Sequence, residues 1–103
     1  GMGQALKELI VHERGSAQLL TGSFMDYGMP RASDLPSYTC ANVEVPTALN
    51  PLGVKGVGEA GTVGALAATM NAVCNALAQA GVRHIDMPTT SERVWRAIHD
   101  KAD

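Results

Sequence analysis

Aromatic side chains are scarce in this chain: one Trp, one Phe and two Tyr among 103 residues. An aromatic-rich core is excluded, so the 46% apolar content has to pack chiefly as aliphatic side chains. Charge is thinly spread as well. Eight Lys and Arg stand against ten Asp and Glu, a net charge of −2, with the signs interspersed. Without a basic patch or an acidic run, neither nucleic acid nor an anionic membrane is an expected partner. Only two cysteines occur, Cys40 and Cys74. With no CxxC and no Cys/His cluster, this chain alone cannot build a zinc site or an iron–sulfur cluster. Two isolated, reduced thiols suit a cytoplasmic protein. His12, His84 and His99 share no metal-ligand spacing, so no metal ligands are expected. No apolar run reaches the roughly 18 residues a membrane helix needs.

What is present reads as a single α+β domain over residues 1–103. It is a small mixed fold with a few strands, one hairpin among them, packed by a long Ala/Val-rich helix and a C-terminal helix. "GQALKELI" at 3–10 predicts a short helix. "LIVHE" and "AQLLTGSF", separated by the turn "RGS", predict the hairpin. Residues 26–38, with two prolines and a glycine, read as irregular. "TCANVEV" and "VRHIDM" read as further strands. The clearest element follows the glycine-rich loop. From about Thr62, Val63, Leu66, Ala67, Met70, Val73, Cys74 and Leu77 recur at spacings of three and four, and Gly81 supplies a C-terminal cap. Thr89, three residues before Glu92, forms a capping-box pattern for a last helix with Val94, Trp95 and Ile98 on its inner stripe.

The stretch "GVKGVGEAGTVGA" at 53–65 carries the functional question. Gly56, Gly58 and Gly61 spell a dinucleotide fingerprint, but that motif needs a strand running into its first glycine. Here Pro51 and Gly53 break the approach, and no Gly-Lys-Ser/Thr completes a P-loop. Two readings stay open on the residues alone. One is an ordinary surface turn in which Glu59 is a solvated carboxylate. The other is a backbone cleared of side chains, so that it can pass close to a large rigid ligand and place Glu59 as a general base.

"NPLGVKGVGEAGTVGA" resembles the C-terminal signature of the large subunits of molybdenum hydroxylases, the xanthine dehydrogenase / aldehyde oxidase / carbon monoxide dehydrogenase family. "GMGQAL" at 1–6, "LLTGSFMDYGMPRASDLP" at 19–36 and "GVRHIDMPTTSERVW" at 81–95 resemble other blocks of that family in the same order. Where the family often has prolines in the helix after the glutamate, this chain has "ALAA" at 65–68, which favours a more regular helix. The family's large subunit is several times longer, so the resemblance makes this chain a C-terminal fragment of a molybdopterin-binding domain.

The resemblance implies oxidative hydroxylation of an aldehyde, an N-heterocycle or a similar carbon centre at a molybdopterin cofactor. Glu59 would be the general base that takes a proton from the attacking hydroxyl. Gly56 and Gly58 would let the loop pass near the pterin. Gln4 falls in the block that borders the cofactor, although a helix-surface glutamine needs no such role. Lys55 could balance Glu59 or a phosphate; Asp26 and Tyr27 read as organising their own loop. The implied partners are the remainder of the large subunit together with iron–sulfur and flavin subunits or domains. By itself the chain is expected to hold no cofactor and to form a homo-oligomer, burying the apolar helix 62–80. The rival is a free-standing, non-enzymatic remnant acting as a structural or partner-binding module.

Overall fold

A computed structural model describes residues 1–100, and its regular structure is helical. Helix α1 spans Met2–Leu6, α2 spans Ala60–Ala78 and α3 spans Ser91–His99. A single 3-10 turn at Ala32–Asp34 interrupts the long irregular stretch between α1 and α2.

Helix α2 is unbroken through "ALAA", as a sequence free of proline allows. Its end is a Schellman closure. The Val82 N–H donates to the Leu77 carbonyl at 3.1 Å and the Gly81 N–H to the Ala78 carbonyl at 3.0 Å. The reversal requires Gly81 at φ +79°, where a side chain would be strained. It folds Val82 back onto Leu77, and these two with Ile85 make the core. Met70, Val73, Cys74, Val94, Ala97 and Ile98 pack around them. By length and composition alone, with a mean hydropathy of 1.2, α2 is apolar enough to span a bilayer. The expectation that no segment reaches that threshold is thus corrected. Here α2 lies against α1 and the core just described.

Helix α1 is shorter than expected. The Gly3 carbonyl accepts from both Lys7 N–H, at 2.9 Å, and Glu8 N–H, at 2.8 Å, and the helix unwinds there. Ala5 on its inner side is fully buried. Its carbonyl receives two donors from far along the chain, the Thr89 N–H at 2.7 Å and the Thr89 hydroxyl at 3.0 Å. These follow directly on the cis Met87–Pro88 bond. Thr89 is buried in this clasp, and the expected capping box with Glu92 does not form. Thr90 caps α3, its hydroxyl accepting from the Arg93 N–H at 3.4 Å. Helix α3 carries Glu92 in its first turn and Arg96 and His99 in its last, the charge order that suits the helix dipole.

The expected strands do not form. The hairpin reduces to one isolated antiparallel bridge, His12 with Leu19, flanked by the Leu20 N–H donating to the Val11 carbonyl and the Glu13 N–H to the Gln18 carbonyl, each at 2.8 Å. Residues 39–45 and 82–87 pair in no ladder among the described residues. Alternation reports two different faces; a strand also needs a neighbour with which to share its ladder, and none is at hand. Trp95 is corrected as well. Val94, Ala97 and Ile98 turn toward the core, while Trp95 stays 57% exposed and stacks on His99 at a centroid distance of 4.3 Å.

The molecule is spread out. Its radius of gyration is 18.3 Å, against about 13 Å for a compact domain of this length. Large apolar side chains lie open, among them Phe24, Met25, Val43, Leu49 and Leu52.

Candidate functional site

The glycine-rich loop is built from its upstream end. Asn50, Pro51, Leu52 and Gly53 form a turn closed by the Gly53 N–H donating to the Asn50 carbonyl at 3.1 Å. Asparagine first, proline second and glycine fourth is the composition a type I turn favours. Gly53 sits at φ +66°, and a Cβ added there would lie 3.0 Å from the Pro46 Cβ. Its carbonyl accepts from the Thr47 N–H at 3.1 Å. The chain then runs through Lys55, Gly56, Val57 and Gly58, all exposed, to Glu59. A Cβ built on Gly56 or Gly58 would meet nothing within 4 Å, so nothing inside this chain demands glycine at either position.

Glu59 is the N-cap residue of α2, and its carbonyl accepts from the Val63 N–H at 3.1 Å. Its side chain is exposed and caps nothing, and no acidic residue occupies the first turn of α2. The amides at that end, with the positive end of the helix dipole, favour an acceptor-rich or anionic group. Neither Glu59 nor Lys55 makes an ion pair among the described residues.

Gln4 approaches from α1. Gly1 abuts the start of α2: a Cβ added to it would stand 2.6 Å from the Thr62 carbonyl oxygen and 2.7 Å from the Ala65 Cβ. Gln4 and Glu59 each lie three residues from the Gly1–Thr62 contact, and both are exposed. The fold therefore brings the N-terminal ends of α1 and α2 together, with the glycine loop arriving at the same place.

The other singled-out residues stand apart from this arrangement. Asp26 accepts from the Ser23 hydroxyl at 2.7 Å, and the Tyr27 hydroxyl donates to Glu8 Oε1 at 3.0 Å. Partial burial, reinforced by the Glu8 carboxylate, pushes the Tyr27 phenol above its ordinary value. His84 pairs with Asp86 at 3.0 Å on the surface. No group of three or more potential metal ligands forms among the described residues. Cys40 and Cys74 are free thiols. One residue that the sequence reading passed over is Asn50. Its signal was available in the Asn-Pro-x-Gly order.

The fold and sequence both find close counterparts. The crystal structure of quinoline 2-oxidoreductase from Pseudomonas putida 86 superposes over 98% of this chain and 13% of its own, with a TM-score of 0.88 and 37% identity. The carbon monoxide dehydrogenase large chain of Hydrogenophaga pseudoflava is 39% identical over 82 residues, 80% of this chain and 10% of the relative. This chain is a segment of the xanthine dehydrogenase / aldehyde oxidase / carbon monoxide dehydrogenase family. The nicotine 6-hydroxylase large subunit of Paenarthrobacter nicotinovorans matches at 37% over 97 residues, 94% of this chain and 12% of the relative. Other relatives at 31% to 32% identity bear the names of molybdenum-binding subunits of xanthine dehydrogenase and aldehyde oxidoreductase. This family segment spans roughly an eighth of the length of such relatives. No protein-family model matches it.

Proposed function

We propose that the chain is the C-terminal part of a molybdenum hydroxylase large subunit. Such an enzyme oxidatively hydroxylates an aldehyde, an N-heterocycle or a similar carbon centre, and Glu59 serves as its general base. The observation that carries this reading is the seating of Glu59: an exposed, unpaired carboxylate at the N-cap of α2, at the end of a loop whose glycines clear a face no part of this chain fills.

The residues fit a pterin-bound metal cofactor by the chemistry of their donors. The Gln4 carboxamide and the first-turn amides of α2 are hydrogen-bond donors toward an oxygen-rich ligand, and Gly56 and Gly58 keep side chains out of its way. When bound, the molybdenum cofactor supplies the two-electron oxidant. Glu59 accepts a proton at a carboxylate oxygen as the substrate carbon is attacked, and the 19-residue helix that follows it supports the base from one side. Gln4 fixes the ligand's orientation from the α1 side. With only two cysteines, this segment does not ligate an iron–sulfur cluster by itself. Iron–sulfur and flavin partners would carry the electrons away.

The test is Glu59→Gln in the complete enzyme, which keeps the shape and removes the base. Loss of a general base costs about 10²–10⁴-fold. The loss is expected in the rate at which substrate reduces the metal, with molybdenum content unchanged. Glu44→Gln, an exposed carboxylate on the 39–45 segment, is expected to keep the parental rate. A Glu59→Gln enzyme reduced at parental speed with full molybdenum would refute the assignment.

A further inference from the structure

We propose that Asn50 is a positioning residue for Glu59. It locks the segment leading into the glycine loop, and the direction in which the carboxylate points depends on that lock. The proposal rests on the reading of Glu59 as the general base.

One carboxamide holds both backbone groups of one residue. Asn50 Nδ2 donates to the Val54 carbonyl at 2.9 Å, and Asn50 Oδ1 accepts from the Val54 N–H at 3.2 Å. The Asn50 carbonyl is also engaged, by the Gly53 N–H, and the Gly53 carbonyl by the Thr47 N–H. These four bonds tie residues 47–54 into a closed unit. Beyond it the restraint stops. From Lys55 to Gly58, among the described residues, only the Val57 carbonyl is bonded, by the Ala60 N–H at 3.2 Å. Gly56 and Gly58 have open space around them. The span 54–59 is therefore a short bridge held at one end by Asn50 and at the other by α2. Two glycines within it supply the greatest backbone freedom available to a chain. A bridge of that kind keeps its direction only while both supports hold.

No other side chain does this work at position 50. Asp keeps the acceptor but sets a carboxylate oxygen against the Val54 carbonyl. Ala keeps neither bond. Gln is longer by a methylene. The effect on chemistry is one of aim, since a displacement of about 1 Å at a reacting group can cost about 10²-fold in rate.

The experiment uses the complete enzyme in four forms: Asn50→Ala, Asn50→Asp, Glu59→Gln, and the double variant Asn50→Ala/Glu59→Gln. Molybdenum content, amide exchange across residues 47–58, KM, and the rate of metal reduction by substrate are measured for each. Asn50→Ala and Asn50→Asp are expected to retain parental molybdenum. In Asn50→Ala, exchange at the Val54 N–H is expected to rise about fivefold, the equivalent of one hydrogen bond. The rate is expected to fall about 10- to 100-fold, in kcat, with KM changing by about twofold or less. In the Glu59→Gln background, Asn50→Ala is expected to cost almost nothing more, because a residue that acts through Glu59 has nothing left to aim. Three outcomes overturn the proposal. They are a parental rate in Asn50→Ala beside a slow Glu59→Gln, the same multiplicative loss in both backgrounds, and loss of molybdenum with the rate per metal unchanged. A parental rate in Glu59→Gln overturns the base assignment itself, and the positioning role with it.

Discussion

Produced as a free polypeptide, residues 1–103 are expected to self-associate, and the reason is area. The fold exposes 8502 Å², whereas a compact monomer of this length exposes about 5,500 Å². The surplus of roughly 3,000 Å² is close to twice the ~1,600 Å² that a standard protein–protein interface buries in total. Much of it is apolar: Met25 is 93% exposed, Val43 90%, Leu49 94% and Leu52 84%. Covering even a third of the surplus with apolar contact is worth about 25 kcal/mol gross at about 25 cal/mol per Å². The loss of translational, rotational and side-chain freedom on association opposes this with roughly 4–15 kcal/mol or more. Burial is expected to exceed that cost, with a dimer or larger assembly as the result. The same preparation is expected to hold no stoichiometric molybdenum, since one loop and two helix ends cannot enclose a pterin. Size-exclusion chromatography with light scattering at micromolar concentration, combined with binding of a hydrophobic dye, reads the outcome. A monodisperse monomer that ignores the dye would refute the reasoning from area.

The clasp between Thr89 and Ala5 gives a graded pair. Thr89→Val removes one hydrogen bond but leaves the Ala5 carbonyl satisfied by the Thr89 N–H, a cost of about 1 kcal/mol; Thr89→Ala also deletes a buried methyl, for a total of about 2 kcal/mol. Native-state amide exchange of residues 87–99 in the full large subunit measures both, and parental exchange in Thr89→Val would count against the hydroxyl contact. Gly81→Ala forces a side chain into the left-handed region at the end of α2 and is expected to cost about 1–2 kcal/mol by the same measurement; no change would mean that the Schellman closure does not form. The Lys7 ammonium, 2.6 Å from Asp34, and behind it the Arg31 backbone N–H hold the Asp34 carboxyl below the usual carboxylate range. A lowered folded-state value means that the contact's contribution is complete above about pH 4 and is lost as pH falls through the lowered value. In Lys7→Met the Asp34 carboxyl, followed by NMR titration, is expected to move back upward, and an unmoved titration would sink the pairing.

How legible the molecule is depends on how local each device is. Helix α2 declares itself through its three–four spacing, and its stop through Gly81, because both act within a few residues. Segments 39–45 and 82–87 mislead, since alternation is a local property whereas pairing needs a neighbour elsewhere. Thr89 reads as a cap because its carbonyl partner, Ala5, is 84 positions away, beyond any local pattern. Trp95 reads as part of the inner stripe with Val94 and Ile98, but on a nine-residue helix only Val94, Ala97 and Ile98 share the arc facing Leu77. In the candidate site, Glu59, Gly56, Gly58 and Gln4 were named through likeness of whole blocks to the family, not through any spacing rule. What the fold adds is the meeting of the α1 and α2 ends, and the Asn50 lock.

The Ala5–Thr89 clasp also has a consequence in time. Residue 89 leaves the ribosome 84 positions after residue 5, which at 5–20 residues per second is a delay of roughly 4–17 s. A five-residue helix cannot hold itself in water over that interval, whereas 19 residues with a built-in stop come much nearer to doing so. The order of events is therefore set: α2 and its turn at Gly81 first, α1 only when Thr89 arrives to fasten it, and α3, whose residues follow Thr89 out of the ribosome, last. Until that moment the apolar side of α2 that α1 will cover stays open to whatever else the cell offers. Pulse-labelling exchange that found the α1 amides protected before those of residues 88–90 would reverse this sequence.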